Sequence, residues 1–279
     1  MRLSEVEDLC NEYGIRADIE KSDQHFMINE KTIKEIVKAA EICEKDVVLE
    51  VGPGLGFLTE ELVKKAGKVI AVEIDEQFKP VLQKLQEKYS NLEVIYGNIL
   101  KIELPEFNKI ISNIAYNLAE PLFMKILYAK FDLGVFTLSM HLAEKLALPE
   151  KQEDRIRLSI ISQSYFKSEI VKEIPANDFY PAPKIESAIL KFSPVKKEEL
   201  KGKQLLIRLF FEQRYSKVKN ALRNCINEYL GKTKRESRQA IAERGFSEGV
   251  LEKLVDNISS EEFEIILGFF NRLIKMKED

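Results

Sequence analysis

The chain has 279 residues, 45% of them hydrophobic and 32% charged, enough to bury a substantial core. A net charge of −3 gives no global attraction to nucleic acid, and no apolar run is long enough to span a membrane. Three scattered cysteines (Cys10, Cys43, Cys225) and two histidines (His25, His141) match neither a disulfide framework nor metal-ligand spacing, so no metal and a reducing, cytoplasmic setting are expected.

The first residues, Met1 to Cys10, carry acids and helical periodicity in place of the basic and apolar regions of a signal peptide. Residues 1–46 read as helical, with breaks near Gly14 and around Ser22 to His25 and with Asn29 as a cap for the next helix. Val47–Val51 is a short apolar, β-branched run, as in buried parallel strands. Helical periodicity follows over Phe57–Ala66, then a strand at Lys68–Glu73, a helix over Glu76–Tyr89 and a strand at Leu92–Tyr96. Lys109–Ser112 and Val135–Leu138 continue the series. Strands alternating with helices imply an α/β fold with a parallel, doubly wound, Rossmann-like sheet. Ser168–Ile174 and Ser187–Phe192 have no helix between them, so they should pair antiparallel at one edge. After Pro194 the pattern is helical throughout, with breaks near Gly231, Gly245 and Asn257. This predicts a catalytic α/β domain over 1–195 and a small all-helical domain over 196–279.

Charge is unevenly spread. Residues 196–244 hold fourteen Lys and Arg against six Glu and no Asp, a surplus of eight positive charges that leaves the remainder strongly acidic. A basic block on an acidic protein fits phosphate recognition, although a solvated helical face would look the same. Arg208, Arg214, Lys217, Lys219 and Arg223 are its candidate RNA contacts.

The first strand runs into Gly52-Pro-Gly54-Leu-Gly56, whose glycines permit a tight turn and close backbone approach to a ligand. A dinucleotide-binding GxGxxG would need glycine at position 57, where Phe57 stands. Glu73, at the end of the second strand beside Ile74, can accept both hydroxyls of a ribose. Asn98, after the third strand, can meet an adenine edge. Three such strand ends describe a nucleoside crevice without a pyrophosphate loop, which fits S-adenosylmethionine better than NAD. The fourth strand leads into Ser112-Asn113-Ile114-Ala115-Tyr116. Taken singly, Asn113 also reads as a strand-end turn residue, and Tyr116 and Phe179 as core aromatics.

Together these segments resemble the ribosomal RNA adenine N6-dimethyltransferase family. The resemblance covers Gln24-His25-Phe26, Glu50 to Gly56, Glu73 to Asp75, Gly97-Asn98, Asn113 to Tyr116, Arg157 to Ser159, Phe179 to Ser187, Phe210 to Arg214 and Lys219 to Leu222. It implies S-adenosylmethionine as methyl donor, released as S-adenosylhomocysteine, with Gln24, His25 and Met27 touching it beside Gly52, Gly54, Gly56, Glu73, Ile74, Asn98 and Asn113. It also implies a reaction loop in which the Asn113 side-chain carbonyl and a backbone carbonyl at Ile114 or Ala115 pin the target amine. Tyr116 and Phe179 would then cover the faces of a flipped adenine. The implied substrate is two neighbouring adenines near the 3′ end of small-subunit rRNA, in an immature small ribosomal subunit. No membrane association and a monomeric state are expected.

Four departures stand out. Ser22-Asp23 replaces the family's Leu-Gly, and Asn98 replaces its Asp. Ala115 replaces the proline of the reaction loop, and Arg214-Tyr-Ser-Lys217 replaces an Arg-Arg-Lys. They leave room for two other readings: a ribosome-assembly factor with little or no turnover, or a methyltransferase of a different RNA.

Overall fold

The structure, a computed structural model, describes residues 3–15, 24–147 and 157–278. The expected break at Ser22 and Asp23 lies outside the described residues. The chain divides into two compact units. One comprises residues 1–158 and 166–194, the other residues 159–165 and 195–279.

The first unit opens with α1 (Leu3–Tyr13), a two-residue strand β1 (Phe26–Met27) and α2 (Glu30–Ala39). Asn29 caps α2 as its residue type predicts, accepting from Lys31 N at 3.0 Å. β2 (Val47–Val51), β3 (Lys68–Glu73), β4 (Leu92–Tyr96), β5 (Lys109–Asn113) and β6 (Leu133–Ser139) follow. Between them lie α3 (Phe57–Val63), α4 (Lys79–Lys88, after a 3-10 turn at Glu76–Phe78) and α5 (Tyr116–Ile126). β7 (Phe166–Ile174) and β9 (Ser187–Pro194) complete a seven-stranded sheet of order β4-β3-β2-β5-β6-β9-β7.

Every pair from β4 across to β6 is parallel, while β9 runs antiparallel to both β6 and β7. The antiparallel edge is therefore present where the helix-free interval placed it. Apolar runs drive the arrangement, because both faces of a parallel sheet are covered. Val48, Leu49, Val69 and Ile110 are fully or almost fully buried within it. β2 has β3 on one side and β5 on the other, so strand order reverses there. Open α/β sheets bind ligands outside the carboxyl ends of strands at such a switch point.

The sequence pattern gave no hint of a second, small ladder. Phe26 pairs with Tyr180 and Met27 with Phe179 of β8 (Phe179–Tyr180), antiparallel. Asp178 reinforces it by accepting from Asn29 Nδ2 at 2.7 Å and Thr32 Oγ1 at 2.5 Å.

α6 (Met140–Ala147) belongs to the first unit and α7 (Arg157–Ser162) is shared between the two, while the second unit contains α8 (Gly202–Phe211), α9 (Val218–Leu230), α10 (Lys234–Arg244), α11 (Glu248–Glu252) and α12 (Ser260–Glu278). Phe210, Phe211, Phe263 and Phe270 form its buried centre. Gly231 and Gly245 end α9 and α10 in the left-handed conformation, as the sequence breaks suggest. Among the described residues no helix is long and apolar enough to cross a membrane.

Candidate functional site

A cleft of about 970 Å³, including its open mouth, lies in the first unit at the carboxyl ends of β2, β3 and β5. Its floor is the loop after β2, where Gly52, Gly54 and Gly56 all have positive φ. At Gly56 the need for glycine is twofold. φ is +80°, and a Cβ would sit 2.3 Å from Leu85 Cδ1. The loop then enters α3 directly, leaving no room for a longer phosphate-binding turn.

Glu73 ties this loop to the end of β3. Its Oε2 accepts from Gly54 N at 3.0 Å and its Oε1 from Asp75 N at 2.8 Å. Burial pushes its carboxyl above the usual range, and the backbone donors Asp75 and Gly54 pull against that shift. The carboxyl also lines the cleft, where it can accept from a ligand. Ile74, beside it, is 65% exposed although it lines the cleft. An apolar side chain held open in a cleft wall suits the face of a flat ring.

The opposite wall comes from the segment before α2. Gln24 Nε2 donates to Asp75 Oδ2 at 3.0 Å. His25 Nδ1 donates to the Pro181 carbonyl at 2.6 Å. Asn113, at the end of β5, donates from Nδ2 to the His25 carbonyl at 2.9 Å. A carbonyl can only accept, so this bond fixes the amide orientation and leaves Oδ1 as its acceptor.

Tyr116, the first residue of α5, bonds through its hydroxyl to Ser187 Oγ at 2.7 Å. Its ring centroid lies 5.9 Å from that of His25. Phe179 is 3% exposed, set in the β1–β8 ladder, and also lines the cleft. Ala115 caps α5 with φ −56° and ψ 134°. Its carbonyl accepts from Leu118 N at 2.9 Å and is drawn into the helix. Among the described residues the Ile114 carbonyl accepts no backbone hydrogen bond, which makes it the available acceptor of the two.

Gln24, His25, Met27, Gly52, Gly54, Gly56, Glu73, Ile74, Asn113, Ile114, Ala115, Tyr116 and Phe179 thus converge on one cleft. Asn98 does not line it. Its Oδ1 accepts from Leu100 N at 2.8 Å and stabilises the turn after β4 instead. Glu50 does line the cleft and has no counterpart among the expected contacts. It is 1% exposed, its Oε2 has no hydrogen-bond partner, and burial pushes its carboxyl up to about 8. The signal was present: an acid inside Val-Val-Leu-Glu-Val, where a buried strand has no structural use for one.

The cleft fits a ligand rich in donors. Glu50 offers a buried carboxyl oxygen without a partner, Glu73 offers a carboxyl at the cleft wall, and the glycine cradle admits a ligand against its backbone. A sequence model of the ribosomal RNA adenine dimethylase family matches residues 19–248. The chain belongs to that family. Its members are S-adenosylmethionine-dependent enzymes acting on rRNA, and this chain is one of them. The probable ribosomal RNA small subunit methyltransferase A of Pyrococcus abyssi is 38% identical over 77% of this chain and 79% of its own length. That of Methanosarcina barkeri is 34% identical over 99% of this chain and 94% of its own. A dimethyladenosine transferase from Plasmodium falciparum superposes with a TM-score of 0.61 at 26% identity, covering 89% of this chain and 98% of that one. A 23S rRNA methyltransferase shares the fold, with a TM-score of 0.57 at 23% identity.

The basic residues of the second unit are not a field of unpaired cations. Arg208 stacks on Tyr165 at 3.8 Å and pairs with Glu212 at 3.1 Å. Arg214 pairs with Asp256 at 3.8 Å. Lys217 reaches Glu252 at 2.7 Å, and Lys219 bonds to the same carboxylate. Arg223 has a buried Nε without a hydrogen-bond partner. Two acids from beyond the basic block, Glu252 and Asp256, are therefore drawn into pairs with it, while Glu212 pairs within it.

Proposed function

We propose that this enzyme transfers methyl groups to N6 of two adjacent adenines near the 3′ end of small-subunit rRNA, within an immature small subunit in the cytoplasm. The first unit carries the chemistry and the helical unit contacts RNA. The chain acts as a monomer and needs no metal. The observation that carries the reading is the Asn113 amide, oriented by the His25 carbonyl in the cleft that also holds Glu73 and the glycine loop.

S-adenosylmethionine supplies, when bound, an electrophilic methyl on a sulfonium. Glu73 and Glu50 would hold its donor groups, Ile74 would cover its base, and the loop from Gly52 to Gly56 would lie against its backbone-like portion. The chain's own task is to prepare the acceptor. An adenine amine is a poor nucleophile because its lone pair is delocalised into the ring. Asn113 Oδ1 and the Ile114 carbonyl accept its two N–H bonds, favour tetrahedral geometry and leave the lone pair free for in-line attack. This is catalysis by positioning and fixed dipoles. The nitrogen becomes acidic once alkylated, so no strong base is required. Tyr116 stacks on the flipped base, its ring set by the bond to Ser187, while Phe179 closes the other side. The reaction loop does not need the family's proline to adopt its shape, because Ala115 already sits at φ −56°.

The test compares wild type with Asn113→Ala on immature small subunits from a strain lacking the enzyme, using labelled S-adenosylmethionine and nucleoside mass spectrometry. Wild type is expected to form dimethyladenosine, and the variant to lose more than about nine-tenths of the activity, a loss above about 1.4 kcal/mol. A variant retaining more would overturn the pinning mechanism. No methylation by wild type would favour the non-catalytic assembly factor. A label mapped elsewhere would favour another RNA.

A further inference from the structure

The turn between α8 and α9 presents one large aromatic to solvent. Tyr215 is 73% exposed, more than any other large apolar side chain of the described residues. Most single exposed apolar groups need no explanation. This one sits on a turn held at four points. Ser216 N donates to Gln213 O at 2.7 Å and Val218 N to Lys253 O at 2.8 Å. Val255 N donates to Ser216 O at 3.1 Å and Asp256 N to Arg214 O at 3.2 Å. The Arg214 guanidinium lies over the ring, 4.4 Å from its centroid, and also bonds to its hydroxyl. Arg214 in turn pairs with Asp256. The ring is thus backed on one face by a cation, fixed through its backbone, and exposed elsewhere.

Beside it, Lys217 and Lys219 share the single carboxylate of Glu252, and together they hold that carboxyl down to about 2. Two ammonium groups on one carboxylate leave a positive charge over, and both lysines remain nearly half exposed. A rigid aromatic face next to surplus positive charge is the arrangement that binds single-stranded nucleic acid: the ring takes a base and the cations take the backbone. Inside a duplex, neighbouring base pairs cover the base faces, leaving only its two ends to such a ring.

We propose that Tyr215 is a stacking platform for an unpaired nucleobase of the substrate RNA, outside the catalytic cleft, with Lys217 and Lys219 on the adjoining phosphate. The proposal rests on the reading that the chain acts on RNA, and it assigns to Tyr215 a contact that the sequence block of basic residues does not contain. Arg214 behind the ring strengthens stacking by polarising it and is itself already engaged.

The chain has no tryptophan, so Tyr215→Trp introduces a single reporter at the site. Emission of the full-length variant is followed on titration with a short single-stranded RNA and with a blunt duplex of the same length. Quenching by the single strand alone is expected. Affinities measured by anisotropy should fall by about five- to a hundred-and-fifty-fold for Tyr215→Ala, the span of base–aromatic stacking, and stay near wild type for Tyr215→Phe. Glu252→Gln should release the lysines, tighten binding and steepen its salt dependence. Unchanged affinity in Tyr215→Ala, or equal quenching by the duplex, would overturn the stacking platform while leaving the RNA reading intact. An unchanged salt slope in Glu252→Gln would overturn the phosphate contact. If wild type bound neither RNA, the RNA reading itself would fall, and that outcome is separate from a variant matching a wild type that binds.

Discussion

Glu73→Ala probes the joint between fold and site. The carboxylate receives two backbone donors, Gly54 N and Asp75 N, and is 4% exposed. Truncation orphans both donors, and an unsatisfied buried N–H costs about 1–3 kcal/mol. Gly54 faces an open cleft, so water can reach it and the total should stay near the low end, about 2–3 kcal/mol. For a unit of this size that lowers the midpoint of thermal unfolding by roughly 4–12 °C. Cofactor affinity should also fall, by the loss of a hydrogen bond to a charged acceptor, about 1.5–3 kcal/mol or roughly ten- to a hundred-fold. Calorimetric titration well below the unfolding midpoint separates the two effects. A destabilised variant with wild-type affinity would make Glu73 a purely structural residue. A variant unchanged in both would refute the argument that this carboxylate organises the loop. Glu73→Gln serves as the intermediate case, since its amide oxygen can satisfy one backbone donor while its NH₂ confronts the other.

Two further outcomes follow from named residues. Burial raises the Glu50 carboxyl to about 8, so in the ligand-free protein it adds no penalty at pH 4, where it is protonated folded or unfolded. Stability is then lost as pH rises towards 8, by about 1.4 kcal/mol per pKa unit. Glu50→Gln should remove that slope, and melting curves of both proteins from pH 5 to 8 that ran parallel would contradict it. Ala115→Pro should be tolerated, because φ of −56° lies in the proline range and the Ala115 N–H makes no described backbone bond. It should stabilise the loop by about 0.4–1 kcal/mol and shift products from monomethyl- to dimethyladenosine, since the second transfer has only one N–H left to pin. Equal ratios at equal total turnover, by mass spectrometry, would refute this.

What the sequence made legible was what repeats. β2, β3 and β4 are apolar runs long enough to be seen, and their boundaries match the sequence reading residue for residue. The glycine loop was legible because positive φ leaves few alternatives to glycine. The β1–β8 ladder was not, because two residues per strand carry no periodicity. Asn98 is engaged in a turn beside the cleft lining for a local reason, since an amide after a strand serves a turn as readily as a ligand. The pairing of the basic block was hidden because acids that join it lie far along the chain: Lys217 and Lys219 meet Glu252 across 35 and 33 residues. Residues 159–165 lie with the helical unit, which no composition change marks.

The hidden ladder matters most for activity. Asn113 and Tyr116 stand on the sheet and its following helix, yet neither is oriented by the sheet alone. Asn113 is turned by the His25 carbonyl, and the His25 ring is held by Pro181. Tyr116 is held by Ser187. The segments around His25 and Pro181 are themselves joined by the pairs Phe26–Tyr180 and Met27–Phe179 and by Asp178 on Asn29 and Thr32. Two stretches distant in sequence thus hold Asn113 and Tyr116 between them by hydrogen bonds. Since the chemistry asks for geometry and not for a strong base, this hold is where rate should be most sensitive to distant change. A substitution at Asp178, which lines no part of the cleft, would loosen Asn29, Thr32 and with them the carbonyl that orients Asn113. The segment from Phe179 to Ser187 therefore serves two ends: Phe179 lines the cleft, while Pro181 holds the His25 ring and Ser187 holds the Tyr116 hydroxyl.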